Sequence, residues 1–409
     1  MKKFMLFLVT IFTIHVSAQH ATNMLTDKTK PNKTGPELIT GSLEETELPD
    51  KGKSGRATNY WTGAASVVWS NGNNWSLGHV PEFEEDVVVS GTASNQPIIY
   101  GGTYANCSNL TLESGAELIQ HGTYADHSFL YVYGDINTDD GQYTMNNNYT
   151  HLYFMGSDDN TWDDDNENDT YENIRILKAD PNARLIMYQD MTVNGAFTIQ
   201  SGVFTINVQW ELTVASTHTE AFSVNSGGKL LLNDNQRVSV AGGIVFRNGS
   251  RLETHTDSQI SCGGDFKVEP NNAYNIEFGT NSRLKMDGSG DQYIVDEDMG
   301  NLRLHGLLID KPSGTVYIAN YDLYVNGALN LFGNSTLSCK LSPSSSFSND
   351  IYARGIWHQD ATAGFEAATG RVIFYGPNHV HCEGNPVFNE LEISKDPGMH
   401  WEVHGDVSC

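Results

Sequence analysis

Two clusters hold the residues best suited to chemistry. The first is the acidic stretch from Asp158 to Asp169, in which carboxylates recur at Asp163, Asp165, Glu167 and Asp169. Alternating carboxylates of this kind resemble a calcium loop, because a hard cation takes about six to eight oxygen ligands. The stretch departs from an EF-hand: it has no glycine for the sharp turn, and Ile174 stands where the loop's closing glutamate belongs. It reads either as a Ca²⁺ site or as a solvated turn insertion. The second cluster gathers soft ligands near the end of the sequence: His379, His381, Cys382, His400, His404 and Cys409. His379 and His381 share one strand face, as do His400 and His404. Zinc uses such ligands, but no CxxC or HExxH spacing is present, and outward, solvated histidines are the expectation.

Catalytic patterns are sparse. Glycosidic bond hydrolysis needs two carboxylates roughly 5–9.5 Å apart. Asp139 with Asp140, and Asp158 with Asp159, are the candidate pairs, but both fall in turns with no neighbouring Arg or Lys. There is no G-x-S-x-G elbow, zincin motif or phosphate-cradling glycine loop. Tyr131, Tyr133, Tyr143, Tyr153, Tyr317, Tyr324 and Tyr375 alternate with apolar residues and are expected to face outward, where a row of them can stack on sugar rings. The bland alternative is ordinary surface tyrosine.

The elements that would position these residues are short strands. From Asn59 onward, period-two apolar pairs alternate with Gly, Asn, Asp and Ser turns, and no 3.6-residue period is sustained. Leu110 with Leu112, Leu212 with Val214, and Leu284 with Met286 are examples. Three longer stretches align: Tyr171 to Lys178, Leu304 to Lys311 and Phe388 to Lys395. Each has apolar residues at the first, fourth and sixth positions and a lysine at the eighth. The first two continue as Asp190-Met-Thr-Val-Asn-Gly-Ala196 and Asp322-Leu-Tyr-Val-Asn-Gly-Ala328. The third reaches Asp406-Val-Ser-Cys409, so the sequence is expected to continue beyond Cys409.

A shorter spacing of 22 residues relates Val240 to Cys262, and one of 21 relates Val193 to Val214. A four-stranded propeller blade takes roughly 40–45 residues, so a propeller does not fit. Coils that stack their inward residues do. The fold class expected is all-β, a right-handed parallel β-helix, with the larger spacings of 133 and 84 residues between the aligned lysines counting several coils each. The Trp-dense segment containing Trp61, Trp69 and Trp75 is expected to cap the first coil. The expected organisation is a signal peptide at 1–18, a flexible polar leader at 19–58, a capping segment at 59–100 and solenoid repeats at 101–409. Cys262, Cys339 and Cys409 fall where Val or Leu stands in related positions, and so read as inward core residues.

Lys2 and Lys3, the apolar run Phe4 to Val16 and the small residues to Ala18 form a secretory signal. Its removal takes two lysines and no carboxylate, moving the net charge from −26 to −28. Such a surface excludes nucleic acid and anionic lipid as partners and favours solubility and cations. No later apolar run is long enough to span a bilayer.

The pattern W-x-G…W…NW-x-x-G-x-x-P, the segment Asn109 to Leu118 (NLTLESGAEL) and the repeated NELEISK-like modules resemble the exported β-solenoid surface proteins of Bacteroidetes. That resemblance implies Sec export followed by type IX secretion, a cell-surface or extracellular location, and an adhesive, non-catalytic role towards a surface polysaccharide or a component of a host or neighbouring cell. The family's C-terminal sorting domain is not in the sequence. Two other functions stay open: a carbohydrate-binding module, marked by a linear run of outward aromatics, and a polysaccharide-degrading β-helix, marked by a carboxylate pair with a basic residue in one groove. If the acidic stretch holds Ca²⁺, saturation a hundredfold above Kd adds about 2.7 kcal/mol of stability. Chelation then lowers the melting temperature, and Asp163→Ala with Asp165→Ala removes the difference. An unchanged melt would leave the solvated-turn reading.

Overall fold

The computed structural model describes residues 56–138, 140–164, 169–207, 210–270, 275–297, 302–376, 380–395, 401–405 and 407–408. The segments expected to be a signal peptide and, nearly in full, a leader lie outside them. The chain forms the parallel β-helix expected from the sequence, and every pairing between its strands is parallel. Parallel strands joined by crossovers coil right-handed in nearly all cases. The chain visits three faces in turn. Thr58–Trp61, Asp86–Val89 and Leu110–Leu112 open the first face, Ile98–Tyr100 and Glu117–His121 the second, and Tyr104–Cys107 and Ser128–Val132 the third. Phe197–Ile206 bends from the third face onto the first, with Gly202 at the corner at a φ of +88° that a side-chain-bearing residue rarely adopts.

Parity decides what goes inside. Successive residues of a strand point to opposite sides, so Val87 and Val89 of Asp86–Val89 are fully buried while Asp86 and Val88 are half-buried. Parallel pairing then lays each inward residue on its counterpart one coil earlier. On the second face the row runs Val193, Val214, Val240, Cys262, Met286, Ile309 and Leu331. Cys262 is therefore one rung of an apolar ladder, and Cys339 is equally buried. Cys107 and Cys382 also face inward, and all four are free thiols. Burial pushes the Cys262 thiol up to about 12, which keeps it protonated and unreactive. Cys409 lies outside the described residues.

The tryptophan cap is present. Trp75 packs edge-on against both Trp61 and Trp69, at 4.9 and 4.7 Å between ring centres, and all three are buried. Asn74, fully buried, fastens the cap: its Oδ1 accepts from the amides of Ala65 and Ser66, and its Nδ2 donates to the carbonyl of Val68. Thr58–Trp61 already pairs with Asp86–Val89, so the capping segment also supplies the first strands of the solenoid.

The three aligned stretches hold a surprise. The first, containing Asn173–Leu177, is on the third face; the second, Gly306–Lys311, is on the second; the third, Glu390–Lys395, is on the first. The spacings of 133 and 84 therefore do not count whole coils, as the sequence suggested. Each falls two-thirds of a turn beyond a whole number, and the motif recurs on a different face each time. What it conserves in this chain is a buried lysine. Lys178 and Lys311 are 3% and 2% exposed. Lys178 Nζ donates to the carbonyl of Met155 at 2.8 Å and to Asn160 Oδ1; Lys311 Nζ donates to the carbonyl of Gly288 at 2.8 Å and to Gln292 Oε1. Both carbonyls lie 23 residues back, on the preceding coil. Gln292 passes the link on by donating to the carbonyl of Cys262, another coil back. The side chain of Lys395 lies outside the described ones.

Burial lowers the Lys311 amine to about 8. The folded chain thus binds fewer protons than the unfolded chain between about pH 8 and the ordinary lysine value near 10.4, so this group adds stability as pH rises through that window. Lys311→Met takes the lysine donor from the Gly288 carbonyl and leaves Gln292 Oε1 with the Gly288 amide alone. It should lower unfolding free energy by about 2–4 kcal/mol and abolish the rise between pH 8 and 10, both read from denaturant melts. A methionine variant of unchanged stability would show that the strut is dispensable.

Candidate functional site

A groove of about 320 Å³ lies where the third face turns into the first. Its floor is Val203, Gly227, Gly228 and Leu231, and its cationic walls are Arg184, Lys229 and Arg251. Register explains the convergence. Arg184 pairs with Val203, Val203 with Lys229 and Lys229 with Arg251, so these residues form one outward row along the axis. Strands are about 4.8 Å apart, which spreads the three cations over about 14 Å. Gly227, at φ +87°, leaves the wall open: a Cβ there would meet only the Ser201 side chain, at 3.9 Å.

The next outward row carries carboxylates. Leu231 pairs with Glu253, and Glu253 with Glu277. Together with Lys229, Arg251 and Asn275 they line a second recess adjoining the first. Lys229 is ion-paired with Glu253. The Lys229 and His255 hydrogen bonds hold the Glu253 carboxyl below the usual range, so it is a carboxylate and not a proton donor near neutral pH. Arg184 and Arg251, by contrast, make no ion pair among the described residues, in a chain with 50 carboxylates to 24 Lys and Arg. Guanidinium groups free to make forked contacts suit carboxylate or sulfate groups on a ligand. The sequence held a signal for this row: Lys229 and Arg251 are 22 residues apart, the same spacing that relates Val240 to Cys262.

Of the sequence-predicted calcium ligands, Asp163 and Asp169 are described, while Asp165 and Glu167 are not. Asp163 lies half-buried on Asn160–Asp163, in register with Asn137. Asp164, not Asp163, turns inward and meets Asp169. Asp169 accepts from the Tyr143 amide at 2.8 Å. Burial first, then the adjacent Asp164 carboxylate, raises the Asp169 carboxyl well above the usual range. The pair is a corner plug inside the coil, away from the groove. Of the carboxylate pairs, Asp159 is spent on the Arg184 amide at 2.7 Å, and Asp139 lies outside the described residues.

The tyrosines divide. Tyr143 is a correction: it sits at an inward position of Gln142–Met145, fully buried, its hydroxyl donating to Gln120 Oε1 at 2.6 Å. Tyr131, Tyr153, Tyr317 and Tyr324 lie in rows of rings packed along the axis, while Tyr133 packs on Phe83 and Tyr375 meets Tyr352 edge-on. Tyr104 stacks on Phe129 at 4.9 Å and Phe129 on His151 at 5.1 Å. Tyr131 packs on Tyr153 at 4.9 Å, with the Arg175 guanidinium over Tyr153. Tyr293 with Tyr317, and Tyr324 with Tyr352, repeat the arrangement. Rings stacked along the axis cover one another's faces, and Tyr131 and Tyr153 are only 5% and 8% exposed. The run of outward aromatics is there, but its π-faces are turned to each other rather than to a sugar.

A family model described as a domain of unknown function, DUF8693, matches residues 60–152, the tryptophan cap and the first coils. No curated protein and no solved structure matches the chain. Fold and groove together define a parallel β-solenoid with a basic recess on an acidic body.

Because the Asp169 carboxyl is raised, the folded chain holds a proton that the unfolded chain releases. Stability should therefore fall as pH rises above about 4, the ordinary aspartate value, towards neutrality. Asp169→Asn, which keeps a neutral hydrogen-bonding group, should flatten that fall in chelator-treated protein. Equal slopes for the two proteins would mean that the carboxyl pair carries no shared proton.

Proposed function

We propose that the chain is an exported, non-catalytic β-solenoid that adheres by holding an acidic polysaccharide along its groove. The observation that carries this reading is the outward row Arg184, Lys229 and Arg251, with Arg184 and Arg251 making no ion pair among the described residues of a strongly negative body. A polymer lying along the solenoid axis meets its cations at intervals set by the strand spacing, so repeated anionic sugars gain several contacts from one alignment. The body's negative field opposes anions elsewhere, which confines binding to the recess. Export and surface location rest on the signal-like N-terminus and on the resemblance to Bacteroidetes solenoids carried to the outside by type IX secretion.

A second reading has its own support. Glu253 and Glu277 stand in register beside Lys229 and Arg251, the constellation a polysaccharide-degrading β-helix needs. Glu253 is ionised by its lysine partner and fits a base better than an acid.

Polygalacturonate and dextran serve as acidic and neutral probes in affinity electrophoresis. The acidic polymer should retard the protein, dextran should not, and added salt should weaken the effect. Arg184→Ala with Arg251→Ala should reduce affinity about 10–100-fold. Equal retardation of the double variant would sink the groove assignment. Recovered polymer of unchanged length fits adhesion. Shortening that disappears in Glu253→Gln or Glu277→Gln would transfer the conclusion to the enzyme.

A further inference from the structure

Three successive strands of the second face, Ile356–Gln359, Val380–Glu383 and Trp401–His404, are stacked in parallel. Their pairing sets His358 beside Glu383, His381 beside Glu402, and Glu383 beside His404. Cys382, between His381 and Glu383, points into the core. Apart from Ile356, the outward positions therefore alternate imidazole and carboxylate along and across the strands.

The geometry points to a zinc site formed by His381, Glu402 and His404. One ligand atom from each can be chosen so that all three lie within 4.8 Å of one another. His381 Nδ1 is 3.6 Å, and His404 Nε2 4.0 Å, from the same oxygen, Glu402 Oε2. Metal–ligand bonds of about 2.0–2.1 Å in a tetrahedral site separate neighbouring ligand atoms by about 3.4 Å. The two distances to Glu402 Oε2 close with shifts of a few tenths of an ångström, and the His381 and His404 rings, stacked at 4.6 Å between centres, turn about their side-chain bonds to converge on the ion.

The surrounding groups fit that assignment. A metal-bound histidine characteristically donates its second ring nitrogen to a carboxylate, which fixes its tautomer. His381 Nε2 lies 2.8 Å from Glu383 Oε1, leaving Nδ1 on the side of Glu402. Glu383 is itself held from the far side by His358 Nδ1, at 2.6 Å from its other oxygen. Glu383 is thus gripped on both oxygens, which fixes it as the carboxylate that orients the His381 ring. Two imidazoles and one carboxylate favour a borderline transition ion over Ca²⁺ or Mg²⁺, which take oxygen donors. Three protein ligands leave a fourth position for water or a group from a ligand. Both Glu402 and His404 are exposed, so an ion can enter without rearrangement of the coil.

The ion ties Val380–Glu383 to Trp401–His404 across the sheet. The test uses the chain with Zn²⁺ in calorimetry and Co²⁺ in visible absorption, at pH 7.5. One equivalent of Zn²⁺ should bind, and Co²⁺ should give the intense d–d bands of a four-coordinate ion. His381→Gln and His404→Gln should each weaken binding at least a hundredfold. Glu383→Gln, which removes the carboxylate behind the His381 ring and leaves all three ligands in place, should weaken it about 10–100-fold. His255→Gln, an exposed histidine beside Glu253 on another face, should change nothing. Absence of a stoichiometric site, or equal affinity in the His381 and His404 variants and the parent, would overturn the assignment.

Discussion

Hydrogen bonds that run along the axis, from each coil to the next, are the constraint on which the remaining features depend. They leave no freedom in register, because a slip of one residue would turn a whole inward row to solvent. The row from Val193 to Leu331 on the second face is the visible result. The same constraint acts on the outside. Any outward residue type that recurs at the coil spacing becomes a ladder, whether of aromatic rings at Tyr131 and Tyr153, of cations at Lys229 and Arg251, or of alternating His and Glu near His381. Chemistry on this surface is therefore linear by construction.

Like charges side by side on a sheet repel, and the chain handles this differently at different places. Lys229 is balanced by Glu253 on the adjacent row, and Arg247 by Glu220 and Glu269. Arg184 and Arg251 are left facing the groove. At the buried Asp164–Asp169 corner the solution is a proton in place of a counter-charge.

Inside-versus-outside parity was legible in the sequence, which is why the β-helix, the tryptophan cap and the inward Cys262 and Cys339 could be read directly. Which face a strand occupies was not legible. That information lies in corner geometry, such as the bend at Gly202, and not in the apolar period. Hence the Tyr171, Leu304 and Phe388 stretches looked like one module repeated after whole coils, although they sit on three faces. Parity also misled at Tyr143, whose strand Gln142–Met145 is polar at its outward positions, so that the tyrosine is itself the inward residue. At the acidic stretch, strict alternation picked Asp163. Inward parity runs Asn160, Trp162, Asp164, so Asp163 falls on the outward side and Asp164 inside. The groove was hidden for another reason: its cations and carboxylates are separated by about one coil each, and only stacking brings them together. In the last coils the histidines were visible, but Glu383 and Glu402, which organise them, have no significance until the strands are laid side by side.

Lys178 and Lys311 lead to one more property. A lysine is ordinarily where a chain is cut, since proteases with a cation-seeking pocket must draw the side chain and several flanking residues out in extended form. Here the ammonium groups are locked to carbonyls of the preceding coil, and the flanking backbone is committed to coils on both sides. Cleavage at either point demands that adjacent coils separate first. The motif that marks the solenoid's internal repetition thus also removes two of its few lysines from the reach of digestive enzymes.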